Sequence, residues 1–135
     1  MIFSWYRICF LQVCLTSLSD LVVTFPSSLT RLKFDSFDRN GLSIDSLPSS
    51  ITSLIFGYRF QQVLTPGILP GGLKRLEFNY YYEQPITDNV LPITLCELYL
   101  GHNYCKTIQV LPPNLQKLQC LCEACLNQKL RVAFG

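Results

Sequence analysis

Apolar residues recur along this chain in a frame set by proline. Five dipeptides place an apolar residue before proline: Phe25-Pro26, Leu47-Pro48, Leu69-Pro70, Leu91-Pro92 and Leu111-Pro112. The prolines are 22, 22, 22 and 20 residues apart. Counting forward from each proline, position +3 holds Leu29, Ile51, Leu73, Leu95 and Leu115. Position +6 holds Leu32, Leu54, Leu76, Leu98 and Leu118, and position +8 holds Phe34, Phe56, Phe78, Leu100 and Cys120. With the residue before proline, all twenty places are apolar. A random chain of this composition would manage that roughly once in a million, so the repeat is real.

Two weaker columns follow. Position +16 holds Leu42, Leu64, Ile86 and Ile108. Position +12 holds Asp38, Phe60, Tyr82 and Tyr104, with Phe37 one residue early in the first copy. The fourth copy is two residues short, and Ile108 keeps its place, so the deletion falls after it.

The pattern implies a local structure for each copy. Proline fixes its own φ and biases the preceding residue toward extended backbone. Ser-Ser, Gly-Gly or Pro-Asn after it are turn residues. The next stretch alternates, as in Leu32-Lys33-Phe34 and Leu76-Glu77-Phe78. Period two predicts a short strand with one buried face. The return segments contain Asn40-Gly41, Pro66-Gly67 and Pro85 and are poor helix material. They are expected to be irregular, extended or short 3₁₀ turns. One copy cannot bury its own apolar face, but stacked copies share a continuous core. Neighbouring strands then pair in parallel at about 4.8 Å, and five copies span about 20 Å.

The run Leu95-x-x-Leu98-x-Leu100-x-x-Asn103 fits the strand pattern of leucine-rich repeats. The whole unit resembles the FNIP repeat family, a leucine-rich-repeat relative. Its pattern is Leu-Pro-x-Ser-Leu-x-x-Leu-x-Phe-Gly, then a Phe-Asn segment, then the next Leu-Pro. Here Leu47-Pro48-Ser49-Ser50-Ile51-Thr52-Ser53-Leu54-Ile55-Phe56-Gly57 carries the first half. Phe60-Gln61-Gln62-Val63-Leu64 and Tyr82-Glu83-Gln84-Pro85-Ile86 carry a degenerate second half. The resemblance covers residues 25 to about 120. It implies a mainly β, leucine-rich-repeat-like solenoid of about five 20–22-residue repeats. The sheet is parallel and the return segments mostly irregular or 3₁₀. It also implies a binding role without naming a ligand.

The expected organisation is a hydrophobic N-terminal cap over 1–24, the repeats over 25–120 and a C-terminal cap over 121–135. Residues near Ile8–Leu15 also loosely resemble a signal peptide, although Arg7 is the sole cation ahead of them and bulky Trp5 and Tyr6 precede it. The C-terminal cap is read from Leu121, Ala124, Leu126 and Leu130.

In strands with +6 and +8 inward, +5 and +7 face outward. The first column is Arg31, Ser53, Arg75, Glu97 and Lys117. The second is Lys33, Ile55, Glu77, Tyr99 and Gln119. An exposed strip of this kind is where solenoids bind partners. Arg31, Arg75 and Tyr99 are the candidate anchors, because Arg and Tyr dominate binding hot spots.

Composition narrows the function classes. The chain has 135 residues, 49% hydrophobic and 15% charged, which excludes intrinsic disorder. A net charge of +2 without a basic run gives no case for nucleic acid. No run reaches the length of a membrane-spanning helix. The seven cysteines cannot all pair within one chain, and no Asn-x-Ser/Thr site occurs. Both features favour a reducing, intracellular and cytoplasmic setting with free thiols, without excluding secretion.

One alternative is a zinc module on Cys120, Cys122 and Cys125, with Cys105, Cys96 or His102 as the fourth ligand. Cys120 stands in the inward column, however, where its sulfur serves as a small hydrophobe. A thiol enzyme pairing Cys105 with His102 is a further alternative. No phosphate-binding loop or metalloprotease motif is present, and the carboxylates fall at differing repeat positions. The expected protein is a non-enzymatic scaffold without a cofactor. It binds a protein partner through its exposed sheet face, and self-association is possible.

Overall fold

The computed structural model describes residues 12–15, 25–34, 47–58, 60–120 and 122. Among the described residues six short strands form one sheet in the order β1 to β6, every neighbouring pair parallel. They are β1 (Gln12–Leu15), β2 (Arg31–Phe34), β3 (Ser53–Ile55), β4 (Arg75–Glu77), β5 (Glu97–Tyr99) and β6 (Lys117–Gln119). No helix occurs among the described residues. The chain is therefore a β-solenoid of the leucine-rich-repeat type, as the periodicity predicts.

The register follows the proline frame. Leu32, Leu54, Leu76, Leu98 and Leu118 lie side by side across β2 to β6. β1 joins the same ladder with Val13 beside Leu32, although no Leu-Pro precedes it. The sheet thus has one more strand than the repeat count.

Three turns bend each complete copy. The first follows proline, where the +3 amide donates to the proline carbonyl, as Leu73 does to Pro70 at 3.1 Å. The second follows the strand: Phe60 to Gly57, Tyr82 to Asn79 and Tyr104 to Gly101. The third closes the return segment, Ile68 to Thr65 and Val90 to Thr87. The returns are thus extended segments joined by single turns.

The core lies behind the sheet. Every residue of the +3, +6 and +8 columns is buried. So are Phe60, Tyr82 and Tyr104 at +12 and Leu64, Ile86 and Ile108 at +16. The residues before proline are only partly covered, apart from buried Leu69. Aromatic rings make two parallel stacks. Phe34, Phe56 and Phe78 follow one another at 5.9 and 5.4 Å, and Phe60, Tyr82 and Tyr104 at 5.6 and 6.1 Å. The stacks touch at Phe56–Phe60 (3.9 Å) and Phe78–Tyr82 (4.1 Å). The aromatic at +12 is thus a core position, which explains why it persists while the Asn beside it in the family pattern does not. Phe37, Asp38 and Leu42, read as first-copy members of these columns, lie outside the described residues.

Polar side chains stitch one copy to the next. At +2, the Ser50 hydroxyl donates to the Leu29 carbonyl (2.6 Å). Thr94 donates to the Gly71 and Leu73 carbonyls (both 2.8 Å), and Asn114 to Ile93 (2.9 Å). This assigns a physical role to the Ser of the Leu-Pro-x-Ser motif: it satisfies a carbonyl of the preceding copy that the short strands leave over.

Candidate functional site

The outward residues of β2 to β6 make the two columns expected of them. Arg31, Ser53, Arg75, Glu97 and Lys117 align across the sheet. Lys33, Ile55, Glu77, Tyr99 and Gln119 align beside them. None of the ten is buried.

A connected network occupies the middle of this face. The Arg75 guanidinium donates to Glu77 at 2.9 Å and to Glu97 at 3.2 Å. It also lies over the Tyr99 ring, 4.3 Å from its centre. The Tyr99 hydroxyl donates to the Glu97 carboxylate at 2.7 Å. Lys117 approaches the same ring at 5.0 Å. Hydrogen bonding to Glu77 chiefly holds Arg75 above its ordinary pKa, while the bond to Tyr99 does the same for Lys117. Two carboxylates and one aromatic ring thereby fix one guanidinium in place. Of the candidate anchors, Arg75 and Tyr99 are brought together, while Arg31 stands apart on β2.

Beside this network lies a groove of about 450 Å³ running across β2, β3 and β4. Arg31, Lys33, Lys74 and Arg75 border it, with Thr52, Ser53 and Ile55 between them and Glu97 at one end. Lys74 and Thr52 belong to position +4, which sequence reasoning did not assign to the face. Strict alternation would have put +4 inward. The bend between the proline turn and the strand breaks the alternation there, and Lys74 is exposed. The charge of Lys74 was the available signal.

A second cluster was also missed. Tyr58, Tyr80 and His102 share position +10; Tyr58 stacks on Tyr80 at 6.3 Å, and the His102 ring meets Tyr80 at 4.8 Å with a 35° tilt. Tyr81 meets Tyr58 and Tyr80 edge-on, both at 5.1 Å. The three tyrosines are exposed. The recurrence of aromatic residues at +10 would have revealed them.

The cysteines divide. Cys96, Cys105, Cys120 and Cys122 are free thiols. Cys120 is buried in the inward column, as its position predicts. Cys105 is exposed, and a hydrogen bond with the Cys122 thiol raises its pKa, with desolvation and nearby charge adding. That direction opposes formation of a thiolate nucleophile in the metal-free chain. Cys125 lies outside the described residues. Among the described residues no group of three His, Cys, Asp or Glu could hold a metal ion. The ring of His102 is engaged with Tyr80. No described helix is long and apolar enough to cross a membrane.

Comparison with known proteins agrees with this architecture. The FNIP Repeat family model matches residues 21–59 and 60–103, together more than half of the chain. Among solved structures, the chain is similar to CroV588, described as a novel circular LRR protein structure. The two share 39% identity with a TM-score of 0.67, over 73% of this chain and 15% of CroV588. The chain therefore spans a small part of that protein's length. No curated protein matches it.

Proposed function

This chain belongs to the FNIP repeat family, and from that premise we propose that it is a non-enzymatic scaffold that binds a protein partner through the exposed face of its parallel sheet. The single observation that carries this reading is the Arg75–Glu97–Tyr99 cluster at the centre of the face. Arg and Tyr are enriched among the few residues that dominate the energy of protein interfaces. Here they are already held by each other, so binding costs less side-chain entropy than ordering free arginines would. The free thiols favour a reducing compartment inside the cell as its place of action.

The test is site-specific photo-crosslinking in cells. A photoreactive residue at Ser53 should give adducts with one protein partner, and the Arg75→Glu substitution should abolish them. The same probe at Asp88, on an exposed return segment, should give none. Equal adducts at both positions would refute the reading.

A further inference from the structure

We propose that the groove across β2, β3 and β4 takes an acidic, extended peptide segment of the protein partner. This rests on the scaffold reading above and narrows it to one half of the face and one kind of ligand. The argument begins with charge. Of the four cationic side chains that border the groove, Lys33 has an interaction of its own, and Arg31, Lys74 and Arg75 stand against one carboxylate, Glu97. That carboxylate is already committed to Arg75 at 3.2 Å and to the Tyr99 hydroxyl at 2.7 Å. The other acidic residue of this region, Glu77, is likewise turned to Arg75. The carboxylates of the face are therefore used up at one guanidinium. Among the described residues neither Arg31 nor Lys74 has an ion-pair partner. The surplus positive charge, Arg31 and Lys74, borders the groove at its β2 and β4 ends.

Geometry narrows the ligand. Arg31, Ser53 and Arg75 are register partners on adjacent strands. Two strand spacings separate the ends of that row by about 10 Å. An extended peptide advances about 3.3 Å per residue, so three to four residues cross the groove. Its carboxylates reach Arg31 at one end and Lys74 at the other. The Ser53 hydroxyl lies between as a hydrogen-bond donor, and Ile55 offers an aliphatic contact; the Thr52 hydroxyl, which donates to the Thr30 carbonyl at 3.3 Å, is left as an acceptor. A nucleic acid fits less well. The protein carries a net charge of only +2, and the exposed tyrosines that could stack bases lie outside the groove lining.

The experiment is fluorescence polarisation on the full chain with a labelled dodecapeptide alternating Glu and Gly. Its counterpart has Gln in place of Glu, and a twelve-residue oligothymidylate serves as a second polyanion. The Glu peptide should bind at least tenfold tighter than the Gln peptide. Arg31→Glu with Lys74→Glu should erase that preference. Lys106→Glu, the same charge change on a return segment away from the groove, should leave it within twofold. An unchanged far-ultraviolet spectrum establishes that the variants fold, and Lys74→Gln gives a milder version of the same test. Four outcomes would overturn the inference: no measurable binding of the Glu peptide, equal binding of the two peptides, equal weakening by Lys106→Glu, or tighter binding of the oligonucleotide. If Ser53 adducts form in cells while the Glu peptide fails, the scaffold stands and only the acidic ligand falls. If the adducts are also absent, the scaffold reading falls with it.

Discussion

Gly67 and Asn89 occupy the same place in successive copies, and both have positive φ, 86° and 63°. Each is the third residue of the turn that closes the return segment, Thr65–Ile68 or Thr87–Val90. Gly and Asn are the residues that enter this region at least cost. Nothing stands near where a Gly67 side chain would be, so Gly67→Ala should lose only the conformational term, about 1–2 kcal/mol. Gly101 differs. A methyl group there would meet the Asn79 carbonyl oxygen and come within 2.9 Å of the Tyr80 carbonyl carbon. Both are backbone atoms of the preceding copy and have little room to give. Gly101→Ala should therefore cost more than Gly67→Ala in urea denaturation, and the reverse order would contradict this packing. The same turn explains the short fourth copy. Its return runs Ile108-Gln109-Val110-Leu111 and lacks the two residues that make the third turn. Val110 is exposed there, while Ile68 and Val90 in the longer copies are buried.

At the scale of the element, the short strands depend on what lies behind them. The hydroxyl of Tyr82, inside the aromatic stack, donates to the Gln62 carbonyl at 3.2 Å. Burial pushes its pKa well above the ordinary 10.0, with Tyr104 adding to the shift. The folded chain thus holds this proton more tightly than the unfolded chain does. The resulting stability is fully present below about pH 10 and is lost as pH rises above it. Urea midpoints measured across that range should fall, and Tyr82→Phe should make the fall shallower. At neutral pH the same substitution should cost about 1 kcal/mol for the lost hydrogen bond. The cross-copy hydroxyls act at the same scale. Ser50→Ala removes the donor to the Leu29 carbonyl, again at about 1 kcal/mol by denaturation.

At the scale of the whole molecule, position in the stack sets the cost of a defect. Leu76 is fully buried between copies on both sides, whereas Leu118 on β6, the last strand among the described residues, keeps 8% exposure. Leu76→Ala should cost about 2–5 kcal/mol, the range for core truncation. Leu118→Ala should cost less, because a stacked repeat is stabilised by each neighbour it touches. Equal losses in parallel denaturation curves would mean that the copies do not share load along the stack.

Much of this was legible in the sequence, for a reason tied to repetition. A column of leucines at +6 is inward in every copy because stacking leaves each copy the same environment. Five weak local signals then become one strong one. The frame of prolines therefore determined the parallel sheet, its register, the inward columns and the two outward ones. β1 falls outside the proline frame because it carries no Leu-Pro, within the stretch expected to form an N-terminal cap, and its backbone pairs with β2 all the same. Lys74 escaped because the bend before the strand breaks the alternation that assigned the faces.

What only the tertiary structure decided is how the charges of the face are spent. The sequence places Arg31, Arg75, Glu77 and Glu97 on one surface, but four charges on neighbouring strands can pair in several ways. The lean of side chains between strands about 4.8 Å apart selects among them. Here Tyr99 and both carboxylates converge on Arg75, and Arg31 and Lys74 are left facing the groove. Burial is dictated copy by copy through the chain's own periodicity. Charge pairing is settled only once different copies stand side by side.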